Sequence, residues 1–384
     1  MTNDWVDIVK QIKSLHNKEF VPLHEPTFSE KEVDYVTDCI RTGWVSSVGK
    51  YVDRFEKELA TYTGVKRAVA VVNGTAALQI ALKLAGVKEG DEVLIPSLTF
   101  IATANAIKYL QATPHFVDVS KKTLGLDPVK LEKYLDEIAI LQDNSLINRR
   151  TGRVIRAVVP MHTFGHLVEI EELLTVCEKY HLVLVEDAAE SLGSTYKGKH
   201  AGSFGLISAV SFNGNKIITT GGGGAILTDD DDLADYAKHI TTTAKVPHRW
   251  EYEHDEIGYN YRLPNINAAL GCAQLEKMPS FIQQKRDLTN FYLEIISGLN
   301  GVTLFEEPEF SSSNYWLQSL ILDDTYKRDE ILEFLNENGV MSRPIWTSMH
   351  YLKPYVQMPR ADLSTTEHLN QKIINIPSTP LREV

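Results

Sequence analysis

Apolar residues first recur on a helical period. Trp5, Ile8, Val9, Ile12 and Leu15 share one face of a helix. Residues 1–25 therefore read as an N-terminal helix that either packs on its own domain or forms an arm against a partner subunit. Ser29 and Glu32 form a capping-box pattern for a second helix, which Gly43 ends. From about residue 67 the period changes to short apolar runs: Ala68–Val72, Val93–Ile95, Phe116–Val119, Val154–Val159 and Leu182–Val185. Helix-length segments at 75–85, 101–111, 127–140 and 168–180 separate most of them. Strands alternating with helices predict right-handed βαβ units and a mostly parallel sheet with both faces covered. Ile207–Phe212 and Ala225–Thr228 lie too close for a crossover helix, so one of them should run antiparallel. After about residue 255 helical segments dominate, with one strand-like run at Trp316–Leu322. The expected α/β architecture is a large domain over 26–255 with a mostly parallel seven-stranded sheet between helices. A smaller α+β C-terminal domain should follow over 256–384.

Composition narrows the class. Among 384 residues, 39 basic and 51 acidic side chains give a net charge of −12. No basic stripe offers itself to nucleic acid. No apolar run is long enough to span a membrane, and the N-terminus lacks a signal-peptide pattern. Cys39, Cys177 and Cys272 are few and widely spaced, which implies a reducing, cytoplasmic setting without disulfides. No metal site is expected. His162 and His166 have a ligand-like spacing, but Pro160 and Gly165 argue against a helix there. The acidic run Asp229–Asp232 suits a helix N-terminus.

Open parallel sheets hold ligands at the carboxyl ends of their strands. After the first run comes Asn73-Gly74-Thr75, a tight turn into a helix whose N-terminus would favour a phosphate. After the second comes Thr99-Phe100, where the ring could stack on a flat cofactor or fill the core. Leu182–Val185 ends in Glu186-Asp187-Ala188-Ala189-Glu190, and a carboxylate there is either solvent-exposed or in need of a cationic partner. Ser211 then precedes Lys216, a lysine among small and apolar residues and a candidate for Schiff-base chemistry. The run Gly221–Gly224 is followed by a strand rather than a helix, so it is no P-loop; it permits close backbone approach.

A phosphate cradle, a stacking ring, a carboxylate and an amine at the strand ends of one sheet are the set that pyridoxal phosphate needs. The chain resembles the DegT/DnrJ-type nucleotide-sugar aminotransferases, pyridoxal-phosphate enzymes of fold type I. The resemblance runs from Gly43-Trp44-Val45-Ser46 and Phe55-Glu56, through Asn73–Leu78, Thr99-Phe100, Glu186–Ala189, Ser211-Phe212 and Lys216, to Gly258-Tyr259-Asn260-Tyr261-Arg262.

That resemblance implies a role for each matching position. Lys216 would carry pyridoxal 5'-phosphate as a covalent internal aldimine and move the substrate proton. Asp187 would hold the pyridine nitrogen protonated, and Phe100 would stack on the ring. Gly74, Thr75 and Ser211 would bind the phosphate, with Asn260 reaching in from the second subunit of a homodimer. Glu190 would lie near the phenolic oxygen, where many members carry glutamine or histidine. Substrate contacts are expected at Trp44, Ser46, His162, Tyr315 and Arg343.

Gly222 and Gly223 replace a more usual Gly-Glu-Gly pattern, and Tyr315-Trp316 stands where many members have a histidine. With Arg343-Pro344-Ile345-Trp346 and Met349-His350, this resembles the branch that aminates C4 of UDP-linked 4-keto-6-deoxy-N-acetylhexosamines, with glutamate as donor, in bacterial glycan or nonulosonic acid biosynthesis. A C3-keto sugar, or a GDP- or dTDP-linked one, is the alternative. Rival reactions are fewer. Sugar 3-dehydration uses a histidine where Lys216 stands. A pyridoxal-phosphate lyase acting on an amino acid would use an arginine such as Arg343. A regulator would need a DNA-binding segment that neither end supplies.

Overall fold

The computed structural model describes residues 3–324 and 326–381. Helix α1 (Asn3–His16) is followed by α2 (Glu30–Thr42) and α3 (Lys50–Thr63). The capping box forms: the Ser29 N–H and hydroxyl donate to the Glu32 carboxylate at 2.8 and 2.7 Å. Gly43 closes α2 at φ 77°, a left-handed conformation that glycine adopts without strain.

Seven strands form the spine of the central sheet: β1 (Arg67–Val71), β2 (Glu92–Pro96), β3 (Thr113–Val117), β4 (Val154–Val158), β5 (Val183–Asp187), β6 (Ile207–Ser211) and β7 (Gly224–Thr228). Their order across the sheet is β1-β7-β6-β5-β4-β2-β3. Only β7 is antiparallel to its neighbours within this spine. Strand β3 starts three residues before its apolar run, because His115 is buried against Glu92 at 2.8 Å. A hairpin over 139–148 joins β4 and brings the sheet to nine strands. The periodicity predicts a helix through its first residues. Asp143 and Asn144, at φ 49° and 60°, make the turn that hairpins of this hand require.

Helices α4 (Gly74–Leu84), α5 (Ile101–Tyr109), α6 (Pro128–Ile138), α7 (Ile170–Tyr180) and α8 (Asp231–Thr241) cover the two faces. Val71, Leu78, Ile80, Ile95, Ile107 and Phe116 are buried in the core between sheet and helices. The acidic run caps α8, where Asp230 accepts the Leu233 N–H at 3.0 Å. Helix α9 (Asn265–Leu275) packs against α2 and α3, so the core of the large unit continues past residue 255.

Helix α10 (Met278–Ile296) leads into a second core. There β8 (Val302–Leu304), β9 (Gln318–Leu322), α11 (Arg328–Glu337), β10 (Arg343–Pro344), α12 (Ser364–Asn370) and β11 (Ile373–Ile376) complete the chain. The strands form an antiparallel sheet in the order β8-β9-β11-β10, of which the sequence pattern revealed only β9. The other three are two to four residues long, too short to show an alternation. Trp5, Ile8 and Ile12 lie in this second core, so α1 packs within its own chain. All three cysteines are free and buried. Among the described residues no helix is long and apolar enough to cross a membrane.

Candidate active site

The carboxyl ends of β2, β5 and β6 and the start of α4 open onto one cavity of about 170 Å³. Gly74, Thr75, Phe100, Asp187, Glu190, Ser211 and Lys216 all line it. Met161, Asn213, Asn215, Trp316 and Trp346 share the wall and were not singled out as site residues from the sequence. A larger cleft of about 590 Å³ beside β3, lined by Lys130, Tyr134 and Arg360, contains none of these groups.

One end of the cavity is built for an anion. Asn73 caps α4 by accepting the Ala76 N–H at 2.8 Å, and the other first-turn N–H groups have no intrahelical partner. A Cβ on Gly74 would meet the Ser211 Cβ at 2.8 Å, so glycine lets the Ser211 hydroxyl sit against the helix start. A Cβ on Gly224 would lie 2.5 Å from the Asn73 carbonyl carbon. The glycine run therefore approaches the chain's own phosphate turn rather than a ligand directly.

Successive carboxylates of β5 face opposite ways, as strand alternation demands. Glu186 turns away from the cavity. It pairs with His162 at 3.0 Å and accepts three backbone N–H groups from Gly202, Phe204 and Gly205. Burial alone would raise its pKa, but those donors hold it below the usual carboxylate range. Asp187 points into the cavity. The Thr103 hydroxyl donates to it at 2.7 Å and the Ala189 N–H at 3.2 Å. Among the described residues it has no ion-pair partner, and burial raises its pKa. A buried carboxylate in this state fits a cationic ligand such as a protonated pyridine nitrogen.

Lys216 Nζ lies 3.2 Å from Glu190 Oε1 and 3.8 Å from the centre of the Trp316 ring. Burial raises the Glu190 pKa to about 7 despite the nearby amine. The Phe164 N–H donates to its other oxygen at 2.9 Å. Phe100, 49% exposed at the head of α5, presents an uncovered ring to the cavity mouth. A carboxylate without a cation, an amine, an open ring face and a helix N-terminus together fit pyridoxal phosphate.

Several expected contacts lie elsewhere. His162 is fully buried, tied to Glu186 and absent from the cavity lining. Tyr315 adopts φ 45°, which turns its ring onto His166 at 5.3 Å and gives the inward position to Trp316. Arg343 is exposed on β10 outside the cavity, whereas Trp346, three residues on, lines it. Both shifts depend on local backbone geometry that periodicity does not carry. Trp44 and Ser46 sit in an exposed loop whose carbonyls accept from Asn265, also away from this chain's cavity. Asn260 is exposed and accepts from Arg262 at 3.0 Å, and it does not line the cavity of its own chain.

A large parallel-sheet unit, a smaller unit, and a cavity with this donor set define a pyridoxal-phosphate-dependent transferase. The chain belongs to the DegT/DnrJ/EryC1/StrS aminotransferase family, whose pattern it matches over residues 26–383. It is 38% identical over 356 residues to a GDP-perosamine synthase of Caulobacter vibrioides, covering 92% of this chain and 91% of that one. It is 37% identical to a GDP-perosamine synthase of Escherichia coli O157:H7, with 94% of each chain covered. Among solved structures, Helicobacter pylori PseC, an aminotransferase involved in pseudoaminic acid biosynthesis, superposes with a TM-score of 0.84. It is 26% identical and covers 93% of each chain. The protein is a pyridoxal-phosphate-dependent nucleotide-sugar aminotransferase.

Proposed function

We propose that the protein moves an amino group from glutamate to the C4 keto carbon of a GDP-linked 4-keto-6-deoxy sugar. The single observation behind the chemistry is that buried Asp187 and Glu190 and partly buried Lys216 surround one cavity. The two GDP-perosamine synthases support the choice of nucleotide. The UDP-N-acetylhexosamine branch rested partly on Tyr315 and Arg343, and neither faces the cavity.

In this reading Gly74, Thr75 and Ser211 hold the phosphate of the cofactor and Phe100 covers its ring. Asp187 supplies the negative charge that keeps the ring nitrogen protonated. Such a pairing lowers a carboxylate pKa by about 1–3 units, against the upward push of burial. When bound, pyridoxal phosphate supplies the electron sink and carries the amino group between substrates. Lys216 would hold the cofactor covalently at rest; displaced by the incoming amine, its free Nζ would take the proton from the α-carbon of glutamate and, in the second half, deliver one to C4 of the sugar. Glu190 keeps the amine aimed across the cavity.

A homodimer completes the site, with Asn260 entering the partner's cavity. Support comes from the exposure of Asn260 and of three large side chains in the otherwise charged loop before it, Trp250, Tyr252 and Ile257, at 70%, 83% and 85%. Trp44 and Ser46 belong to the same reading.

The test follows the cofactor colour. Glutamate alone should convert the yellow enzyme to the pyridoxamine form, and a GDP-4-keto-6-deoxyhexose should restore the colour. Restoration by the UDP-linked N-acetyl sugar alone would replace the GDP reading. Failure with every ketosugar, alongside turnover of an amino acid alone, would favour a lyase.

A further inference from the structure

Every polar group of Trp316 is spent inside the protein. Its backbone N–H donates to Asn314 Oδ1 at 2.8 Å, and its carbonyl accepts from Lys285 Nζ at 2.9 Å. The indole N–H donates to the Asn215 carbonyl at 2.6 Å. Asn314 and Lys285 are themselves fully buried. Asn314 also donates to the carbonyls of Glu190 and Leu192, each at 2.9 Å, which fixes the indole relative to the loop that bears Glu190. The result is a flat ring, 4% exposed, clamped on three sides over the Lys216 amine.

Around it the wall is also aromatic. Trp346 lines the same cavity, with its ring centre 4.8 Å from that of Phe164 and 6.3 Å from that of Phe100. Phe164 lies 6.3 Å from Trp316 and bridges the two tryptophans from behind.

An aromatic face carries partial negative charge and attracts weakly positive C–H groups. The apolar face of a pyranose ring and a methyl group at C6 present such groups. A hydroxyl at C6 would need a hydrogen-bond partner, and Trp316 has none left to offer. We propose that Trp316, backed by Trp346, determines specificity for the sugar: it stacks on the C–H face of the ketohexose and selects a 6-deoxy sugar over its 6-hydroxy counterpart. This rests on the nucleotide-sugar reading above.

Magnitude bounds the effect. An apolar wall rejects an added hydroxyl by about 10²-fold at most, because the intruding group is not forced against an unpaired charge. The wild-type enzyme should therefore prefer the 6-deoxy substrate by roughly 10- to 100-fold in kcat/KM.

The experiment compares the 4-keto-6-deoxyhexose and the 4-ketohexose on the same nucleotide, with the dimeric holoenzyme and glutamate in excess. Trp316→Ala should collapse the preference toward unity, and Trp316→Phe, which keeps an aromatic face, should retain most of it. General damage to the site would lower both rates together and leave the ratio unchanged, so the ratio separates specificity from misfolding. If Trp316→Ala does not fold, Trp346→Ala should reduce the same ratio. Equal kcat/KM for the two sugars in the wild type, or an unaltered ratio in every variant that turns over, overturns the proposal. No turnover of either sugar by the wild type would instead overturn the nucleotide-sugar reading.

Discussion

The amine of Lys216 and the carboxylate of Glu190 stand 3.2 Å apart in a cavity wall almost closed to solvent. The second Glu190 oxygen is held by the Phe164 N–H, and Phe164 is a buried residue at φ 56°. A side chain in the left-handed region costs on the order of 1–3 kcal/mol, so the turn at 163–165 stores strain while it aims this carboxylate.

Glu190→Gln should change how stability depends on pH. Burial raises the folded-state pKa of Glu190 from 4.5 to about 7. Between those values the folded protein keeps a proton that the unfolded chain releases, so this group's contribution falls as pH rises through the window. The full effect is on the order of 3 kcal/mol. Urea unfolding of the cofactor-free wild type and variant at about pH 5 and about pH 8 isolates it as a double difference. The wild type should lose ground to the variant at the higher pH. A flat difference would show that Glu190 ionises at its ordinary value.

Lys216→Ala should abolish turnover, not merely weaken binding. A positioned proton carrier is typically worth about 10²–10⁴-fold, and here the covalent attachment of the cofactor is lost as well. Borohydride should fix the cofactor to the wild type and not to the variant. Transamination by the variant at near wild-type rate would refute the assignment.

Gly224→Ala should damage the phosphate end of the site from behind. Its Cβ would lie 2.5 Å from the Asn73 carbonyl carbon and 2.7 Å from the Gly74 nitrogen, both backbone atoms that cannot swing aside. Overpacking of this kind costs about 1–3 kcal/mol and should also weaken cofactor affinity in a spectral titration. Gly222→Ala is the control, because nothing lies within 4 Å of its added carbon. It should stay within about 0.5 kcal/mol of the wild type. Equal behaviour of the two variants would remove the glycine run from the account of the site.

The contrast between these glycines shows what sequence could and could not convey. Strand ends, the Asn73-Gly74 turn, Asp187 and Lys216 were legible because each is local: an apolar run stops and a chemically distinct residue follows. Seven of the residues chosen that way converge on one cavity. Trp316 and Trp346 were named only within motifs, since their inward orientation depends on backbone turns such as φ 45° at Tyr315. His162 lies off the cavity because its partner, Glu186, faces away from Asp187 on the same strand, a pairing that no local pattern displays. The hairpin over 139–148 was lost because Ile140 and Leu141 are exposed, at 47% and 44%, where apolar residues suggested burial.

Lys285→Met should destabilise the protein, and more so at high pH. Lys285 is fully buried, and its amine donates to the Trp316 carbonyl and the Ser378 hydroxyl at 2.9 Å each, and to the Ser378 carbonyl. Methionine would fill similar space but leave two buried carbonyls short of a donor, at about 1–3 kcal/mol each. Against this, burial pushes the Lys285 pKa well below 10.5, so at any pH between that lowered value and the value of the unfolded chain folding releases a proton. That cost fades as pH rises toward the value of the unfolded chain, because the unfolded amine then loses its proton too. The advantage of the wild type over Lys285→Met should accordingly grow between about pH 8 and about pH 10. Chemical denaturation at both values measures it. A gap that shrinks with pH would mean that Lys285 stays charged in the folded protein, held by its three oxygen acceptors.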